Sequence, residues 1–228
     1  MRNTIAPLLL ASIFPLSAYS VGGHYPVYDA DIGDPGDFAI ESWYTHFGSD
    51  NSELAFLSTW RPGNLPLELV GGIIRVDEDG DSFTRIEPAA KWQIAPIEPG
   101  QFGAAINVEV GIEDSDWTDL LVNFPFSYEL PAAPVVLHGN LGWIHDRAGD
   151  SNVDRVFSGA AFEWGLGDAF DLIGQVYREG ADEEHESQLG VRFHFDSPFE
   201  YLDLAAGRVL TGEDKDWFVT ASFGLALY

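Results

Sequence analysis

The chain closes with Asp216–Tyr228, "DWFVTASFGLALY". Its residues alternate. Trp217, Val219, Ala221, Phe223, Leu225 and Leu227 form an apolar set, while Phe218, Thr220, Ser222, Gly224, Ala226 and Tyr228 form a set that is mostly small or polar. A period of two marks a β-strand with two unlike faces. A strand that runs to the last residue needs a partner there, because loose ends fray.

Working back from this strand, similar runs recur between turn clusters, about twelve in all. They begin near Phe38, Leu54, Leu67, Phe83, Phe102, Asp119, Val135, Arg155, Phe170, Ser187, Tyr201 and Trp217. In "FGAAINVEVGIE" the set Phe102, Ala104, Ile106, Val108, Val110 and Ile112 opposes Gly103, Ala105, Asn107, Glu109, Gly111 and Glu113. In "SQLGVRFHF" Leu189, Val191, Phe193 and Phe195 oppose Gln188, Gly190, Arg192 and His194. The early runs "IESWYTHF", "LAFLSTW" and "LELVGGIIRV" alternate poorly, so their inner face stays unassigned. No long helical period appears.

The connections sort by parity. The odd ones, "GSDNSE", "DEDGDS", "EDSDWT", "HDRAGDSNVDR", "REGADEEHES" and "TGEDKD", are acidic and often long. The even ones, "RPGNLP", "APIEPGQ", "LPAAP", "GLGDAF" and "DSPFEY", are shorter or rich in Pro and Gly. In an up-and-down meander all odd connections lie at one end. Outer-membrane barrels show this asymmetry, with longer loops outside and short turns in the periplasm. A Greek-key sandwich would scramble it. The expected fold is all-β: an antiparallel up-and-down transmembrane β-barrel of about twelve strands, within a range of about ten to fourteen. Trp43, Tyr44, Trp60, Trp117, Tyr128, Trp143, Trp164, Tyr177, Trp217 and Tyr228 near strand ends suit two aromatic girdles. Pro88 and Pro125 fall inside proposed strands, so each is expected at a bulge or a strand start.

Composition agrees. The 228 residues include 37 acidic and 11 basic side chains, a net charge of -26. That excludes nucleic acid as a partner, since phosphate binding needs clustered Lys and Arg. With no Cys there is no disulfide framework and no thiolate metal site. Residues 1–20, "MRNTIAPLLLASIFPLSAYS", carry a basic Arg2, an apolar stretch and small residues at Ala18 and Ser20. They read as a secretory signal cleaved near Ser20. Residues 21–36 are an aperiodic, Gly/Pro/Asp-rich lead segment, and 37–228 form the barrel. The expected location is the outer membrane, with its lipid, lipopolysaccharide and the barrel-assembly machinery as partners.

The last part of the chain resembles a known family. "HGNLGW", "WGLG", "QLGVRFHF", "YLDLAAGR" and the closing strand, within Val135–Tyr228, look like outer-membrane barrels named for a meta-pathway of phenol degradation. The resemblance implies a small barrel that passes small, hydrophobic or aromatic solutes. It carries over no functional residues. The ending also resembles the C-terminal signal of outer-membrane barrels, an aromatic last residue after alternating apolar positions. It departs in phase: the apolar set ends on Leu227, and Gly224 lies one place nearer the end than usual.

Function is expected on the inner face. The candidates are Arg85, Glu87, Lys91, Gln93, Asn107, Glu109, His138, Asn140, Glu163, Gln188, Arg192, His194 and Asp203. Arg85, Lys91 and Arg192 are expected to face carboxylates such as Glu87 and Glu109, either plugging the lumen or lining a narrow polar path. No cofactor is implied. "DEDGDS" lacks the ligand offsets of a calcium loop, and Asp-Gly makes a good hairpin turn; the acidic loops together suit only weak divalent-cation binding. His46 with Ser49 and His145 with Ser151 are the pairs from which a lipid hydrolase could be built, but no Gly-x-Ser-x-Gly elbow is present. The leading expectation is a non-enzymatic passive channel or binding barrel for a small solute. A closed structural or surface-interaction barrel is the alternative, and an outer-membrane lipid hydrolase the second. A pore predicts a continuous polar lumen. A structural barrel predicts a lumen filled by side chains or by residues 21–36.

Overall fold

A computed structural model describes residues 24–48, 51–147, 152–180, 185–195, 198–211 and 217–227. The expected signal segment 1–20 and Tyr228 lie outside these residues, as do Ser49 and Ser151. Twelve strands follow in order: β1 (Phe38–Phe47), β2 (Ser52–Trp60), β3 (Leu67–Glu78), β4 (Asp81–Ala95), β5 (Phe102–Glu113), β6 (Asp116–Glu129), β7 (Val135–Asp146), β8 (Val153–Gly165), β9 (Phe170–Glu179), β10 (His185–His194), β11 (Phe199–Val209) and β12 (Trp217–Leu227). Each pairs with its chain neighbours, and β1 pairs antiparallel with β12 from Phe38↔Leu227 to Phe47↔Phe218. The sheet closes into a barrel with no free edge. A sheet in hydrocarbon needs that closure, because no water is there to satisfy an open edge.

The side chains sort as the alternation requires. On β12 Phe218, Thr220, Ser222, Gly224 and Ala226 are buried inside, while Trp217, Val219 and Leu227 are exposed on the outer wall. Ile73, Ile86, Trp92, Ile94, Phe102, Leu141, Leu189 and Leu204 continue that apolar wall around the barrel. Most Trp residues form two belts on it. Trp117, Trp143 and Trp217 lie toward the end opposite the start of β1 and the end of β12, the outer end. Trp60, Trp92 and Trp164 lie toward the other end. Trp43 and Tyr177 depart from the girdle expectation. Both point inward, where the Trp43 indole N–H donates to Glu53 and the Tyr177 hydroxyl donates to Glu186.

Inward Trp43 also explains why the first three runs alternate poorly. Trp43 packs with Ala55, Leu57, Ile74 and Val76 into an apolar patch on the inner wall of β1–β3. With both faces apolar, the binary pattern disappears.

One further expectation is corrected. Pro88 and Pro125 sit mid-strand with no register shift beside them. The β4–β5 pairing passes from Ile86↔Ile112 to Ala89↔Glu109 in one register, and β5–β6 from Ala104↔Phe126 to Asn107↔Asn123. Each proline interrupts the ladder on one side without displacing it, and Pro125 turns its ring, fully buried, into the lumen. The register shifts fall elsewhere, at Gln93/Ala95, Gly111/Ile112 and Phe199/Tyr201. The acidic connections include short turns, as the Asp-Gly pair in the second of them suggests. "DEDGDS" folds as a two-residue hairpin turn, with Glu78↔Asp81 paired and both Asp79 (φ 52°) and Gly80 (φ 89°) left-handed. Asp114 and Ser115 make a second such turn between β5 and β6. Left-handed backbone at both central positions matches the twist of the flanking strands.

Candidate functional site: the lumen and the segment within it

All thirteen candidate residues lie on the inner wall, with Lys91, Asn107, His138, Asn140, Gln188, Arg192 and Asp203 buried. What buries many of them is the lead segment. Residues 24–33 run inside the barrel, and Tyr25, Val27, Asp29 and Ala30 are at most 1% exposed. The segment crosses the lumen from β3, where the Glu68 carboxylate accepts from the Gly33 amide (3.1 Å), to β10, where Tyr25 lies against Gly190.

Side chains from several strands hold its backbone. Asn140 of β7 pinches Tyr28, its Oδ1 accepting from the amide (2.9 Å) and its Nδ2 donating to the carbonyl (2.6 Å). Ser127 of β6 accepts from the Ala30 amide (2.9 Å), and Gln175 of β9 from the Val27 amide (3.2 Å). Gln93 of β4 donates to the Asp31 carboxylate (3.0 Å), and Arg61 in the β2–β3 turn donates to the Gly33 carbonyl. The Tyr28 hydroxyl donates to Glu109 (2.8 Å). The strongest tie is ionic: Lys91 Nζ meets Asp29 Oδ1 at 2.5 Å, with both side chains buried. Such contacts satisfy backbone groups that would otherwise be orphaned in a water-poor interior.

Two inner-wall glycines make room. A Cβ at Gly159 would stand 2.5 Å from Val27 Cγ2, and one at Gly190 would run into the Tyr25 hydroxyl. The segment also carries unusual electrostatics. Burial, and secondly Arg192, lowers the His24 imidazole to about 3, so the ring is neutral. Burial, and then the Asp29 carboxylate, pushes the Asp31 carboxyl above its ordinary value.

The cation–carboxylate expectation is met at Arg85 and redirected elsewhere. Arg85 contacts Glu87, Asp119 (2.8 Å) and Glu113 (3.6 Å). Lys91 instead takes Asp29 of the lead segment. Arg192 takes Asp203 in a two-pronged pair (2.9 and 2.8 Å) over the Tyr201 ring. His138 Nε2 stands 3.4 Å from Glu163, and His194 bonds Asp171 at 2.7 Å. Asn107 is buried beside Asn123 in the ladder, and Gln188 accepts from Gln175 (2.6 Å). Sequence reasoning missed Asp29, Tyr28, Ser127, Gln175 and Glu68. The lead segment has no alternation to reveal its contacts; its one signal is Tyr25, Val27, Tyr28 and Ile32, apolar bulk in a stretch read as an extended lead segment that could fill the lumen.

Toward the outer end the wall is acidic. Glu53, Glu87, Glu109, Glu113, Asp119, Asp146, Glu179 and Glu186 surround Arg85 and Arg155. The hydrolase pairs gain no support in the described residues. His145 Nδ1 bonds Asp154 (2.8 Å), and its ring lies beside Trp117 and Trp143.

A twelve-stranded closed barrel with this lumen can be placed among known proteins. Residues 9–224 match the profile of a family described as "Uncharacterised conserved protein UCP029691". The chain belongs to that family. No curated protein matches the sequence. Among solved structures, the KdgM porin aligns over 81% of this chain and 98% of its own at 9% identity (TM-score 0.61). The NanC porin aligns over 83% and 100% at 10% identity (TM-score 0.63). The translocator domain of the autotransporter NalP from Neisseria meningitidis aligns over 87% and 90% at 10% identity (TM-score 0.52). At these identities the likeness is one of fold: this family member has the architecture of outer-membrane porins. The resemblance drawn from Val135–Tyr228 is upheld as an outer-membrane barrel, while the meta-pathway family is not among those matched.

Proposed function

We propose that this protein is an outer-membrane channel for small solutes that its own lead segment holds closed at rest. The carrying observation is that residues 24–33 cross the lumen from β3 to β10, tied to the wall by the buried Lys91–Asp29 pair. Passage then requires the segment to leave. The acidic outer wall favours cations over anions, because carboxylates in a narrow, low-dielectric vestibule concentrate positive charge. The apolar patch of Trp43, Leu57, Ile74 and Val76 supports solutes that also present a hydrophobic or aromatic face. No catalytic role is proposed; the engaged His145 and the porin-like fold favour transport over hydrolysis.

The experiment is single-channel recording in planar bilayers, with the full protein and with a variant lacking residues 24–33. The full protein should be closed for most of the record. The shortened variant should show discrete, cation-selective steps. A folded variant that stays silent would support the second reading, a closed structural barrel, which the same filled lumen also favours.

A further inference from the structure

The basic side chains are distributed unevenly between the two ends of the barrel. Among the described residues, Arg85, Lys91, Arg155 and Arg192 face inward, and Arg61 is engaged at the Gly33 and Leu65 carbonyls. The other four, Arg75, Arg147, Arg178 and Arg208, sit on or beside the outer ends of β3, β7, β9 and β11, on the outside of the barrel, where Arg75 contacts Asp77 (3.6 Å) and the Ser82 hydroxyl and Arg178 donates to the Ser158 hydroxyl (3.3 Å). Among the described residues, the lipid-facing wall carries none at the opposite end. Burial cost alone would permit arginine at either interface, since the penalty falls to about 0–1 kcal/mol at both. The one-sided placement therefore points to something anionic at the outer interface.

Arg147 has the most developed setting. Its amide donates to the Thr118 carbonyl, which fixes it beside β6, and its guanidinium lies 4.2 Å from the centre of the Trp117 ring. His145 lies beside both Trp117 and Trp143, with ring centres 5.9 and 5.7 Å away. Both indoles are exposed on the lipid-facing wall. A guanidinium stacked on an indole keeps the N–H edges of its fork available for a phosphate. Two indoles at an interface offer a shelf for a sugar ring and the first carbons of acyl chains.

We infer that the Arg147–Trp117–Trp143 shelf is a binding site for the phosphorylated head group of an outer-leaflet glycolipid, with Arg75, Arg178 and Arg208 as further phosphate contacts around the rim. The inference rests on the outer-membrane setting of the barrel and not on conductance, so it stands or falls separately from the channel proposal.

The test uses purified full-length protein in detergent, with a bisphosphorylated acylated disaccharide lipid as probe. Native mass spectrometry counts bound lipid, and tryptophan fluorescence follows the shelf. The protein should bind the phosphorylated lipid, and Arg147→Ala should weaken binding about tenfold, the loss expected for charge-assisted bonds to a phosphate. Arg147→Lys should restore part of it, and Arg75→Gln should weaken it less. Unchanged heat-modifiable migration in gels would show that the variants still fold. Equal binding of the same lipid after removal of its phosphates would overturn the site. So would an unchanged affinity in Arg147→Ala. Saturation by inorganic phosphate alone, with no gain from the lipid portion, would overturn the lipid as occupant.

Discussion

Lys91 and Asp29 lie 62 residues apart and meet as a buried ion pair, one on the barrel wall and the other in the segment crossing the lumen. Removing one partner leaves the other charge buried and uncompensated, a loss of about 3–5 kcal/mol in soluble proteins. Lys91→Met and Asp29→Asn are therefore each expected to release the segment and raise open-channel time. The double variant should lie closer to the native protein than either single one. Bilayer recordings with urea titration would read both effects. Unaltered gating in all three would remove Lys91–Asp29 as the latch.

Steric room at Gly159 is the second handle. With a Cβ 2.5 Å from Val27 Cγ2, Gly159→Ala should loosen the segment while the barrel still assembles. Gly139→Ala, where nothing lies within 4 Å, should change nothing. A protease added to reconstituted protein would report the loosening, as faster cleavage near residues 24–33 in Gly159→Ala alone.

Asp31 confers a pH dependence of known sign. Its carboxyl is raised in the docked segment, chiefly by burial and then by Asp29; Lys91 and Gln93 pull the other way. A raised carboxyl stabilises docking while protonated, and this contribution is lost as pH rises through the docked value. Opening should thus increase from about pH 4 toward neutrality, in the window above the ordinary carboxylate range. Asp31→Asn should flatten that component and hold the channel closed more tightly at neutral pH. A pH profile of open probability that is identical in the two proteins would contradict this.

Arg192 and Asp203 test the barrel rather than its contents. They are register partners on β10 and β11, paired through both prongs and almost wholly buried. Asp203→Asn should lower the unfolding midpoint strongly, by about 3–5 kcal/mol of stability. Replacing both residues with Leu should recover much of it, because the isolated buried charge is then gone. Urea unfolding followed by intrinsic fluorescence would show the difference.

Much of the barrel was legible because lipid enforces a strict rule on side-chain direction. Where one wall is hydrocarbon and the other polar, as on β5, β10 and β12, alternation fixes the face of every residue, and the thirteen inner-wall candidates could be named by parity. On β1–β3 the rule fails because Trp43, Leu57, Ile74 and Val76 are apolar on the inner side too. Pro88 and Pro125 mislead for a different reason: a ladder supported on its other side tolerates one missing N–H without a bulge.

Partners across the lumen were beyond reach of the pattern. Parity says that Lys91 points inward but not what it meets there. The closing stretch Asp216–Tyr228 shows the division well. Its alternation alone determined that it is a strand with one lipid-facing side, because residue period and the polarity of the two surroundings are local properties. That it closes on the first strand near Phe38 follows as well, because a barrel in lipid can leave no free edge. Its register, from Phe38↔Leu227 to Phe47↔Phe218, and the occupation of the lumen by residues 24–33 were decided only by tertiary structure. Register and occupancy depend on which distant groups can satisfy one another in a confined space, and a contact such as Lys91 with Asp29 leaves no periodic trace along the chain.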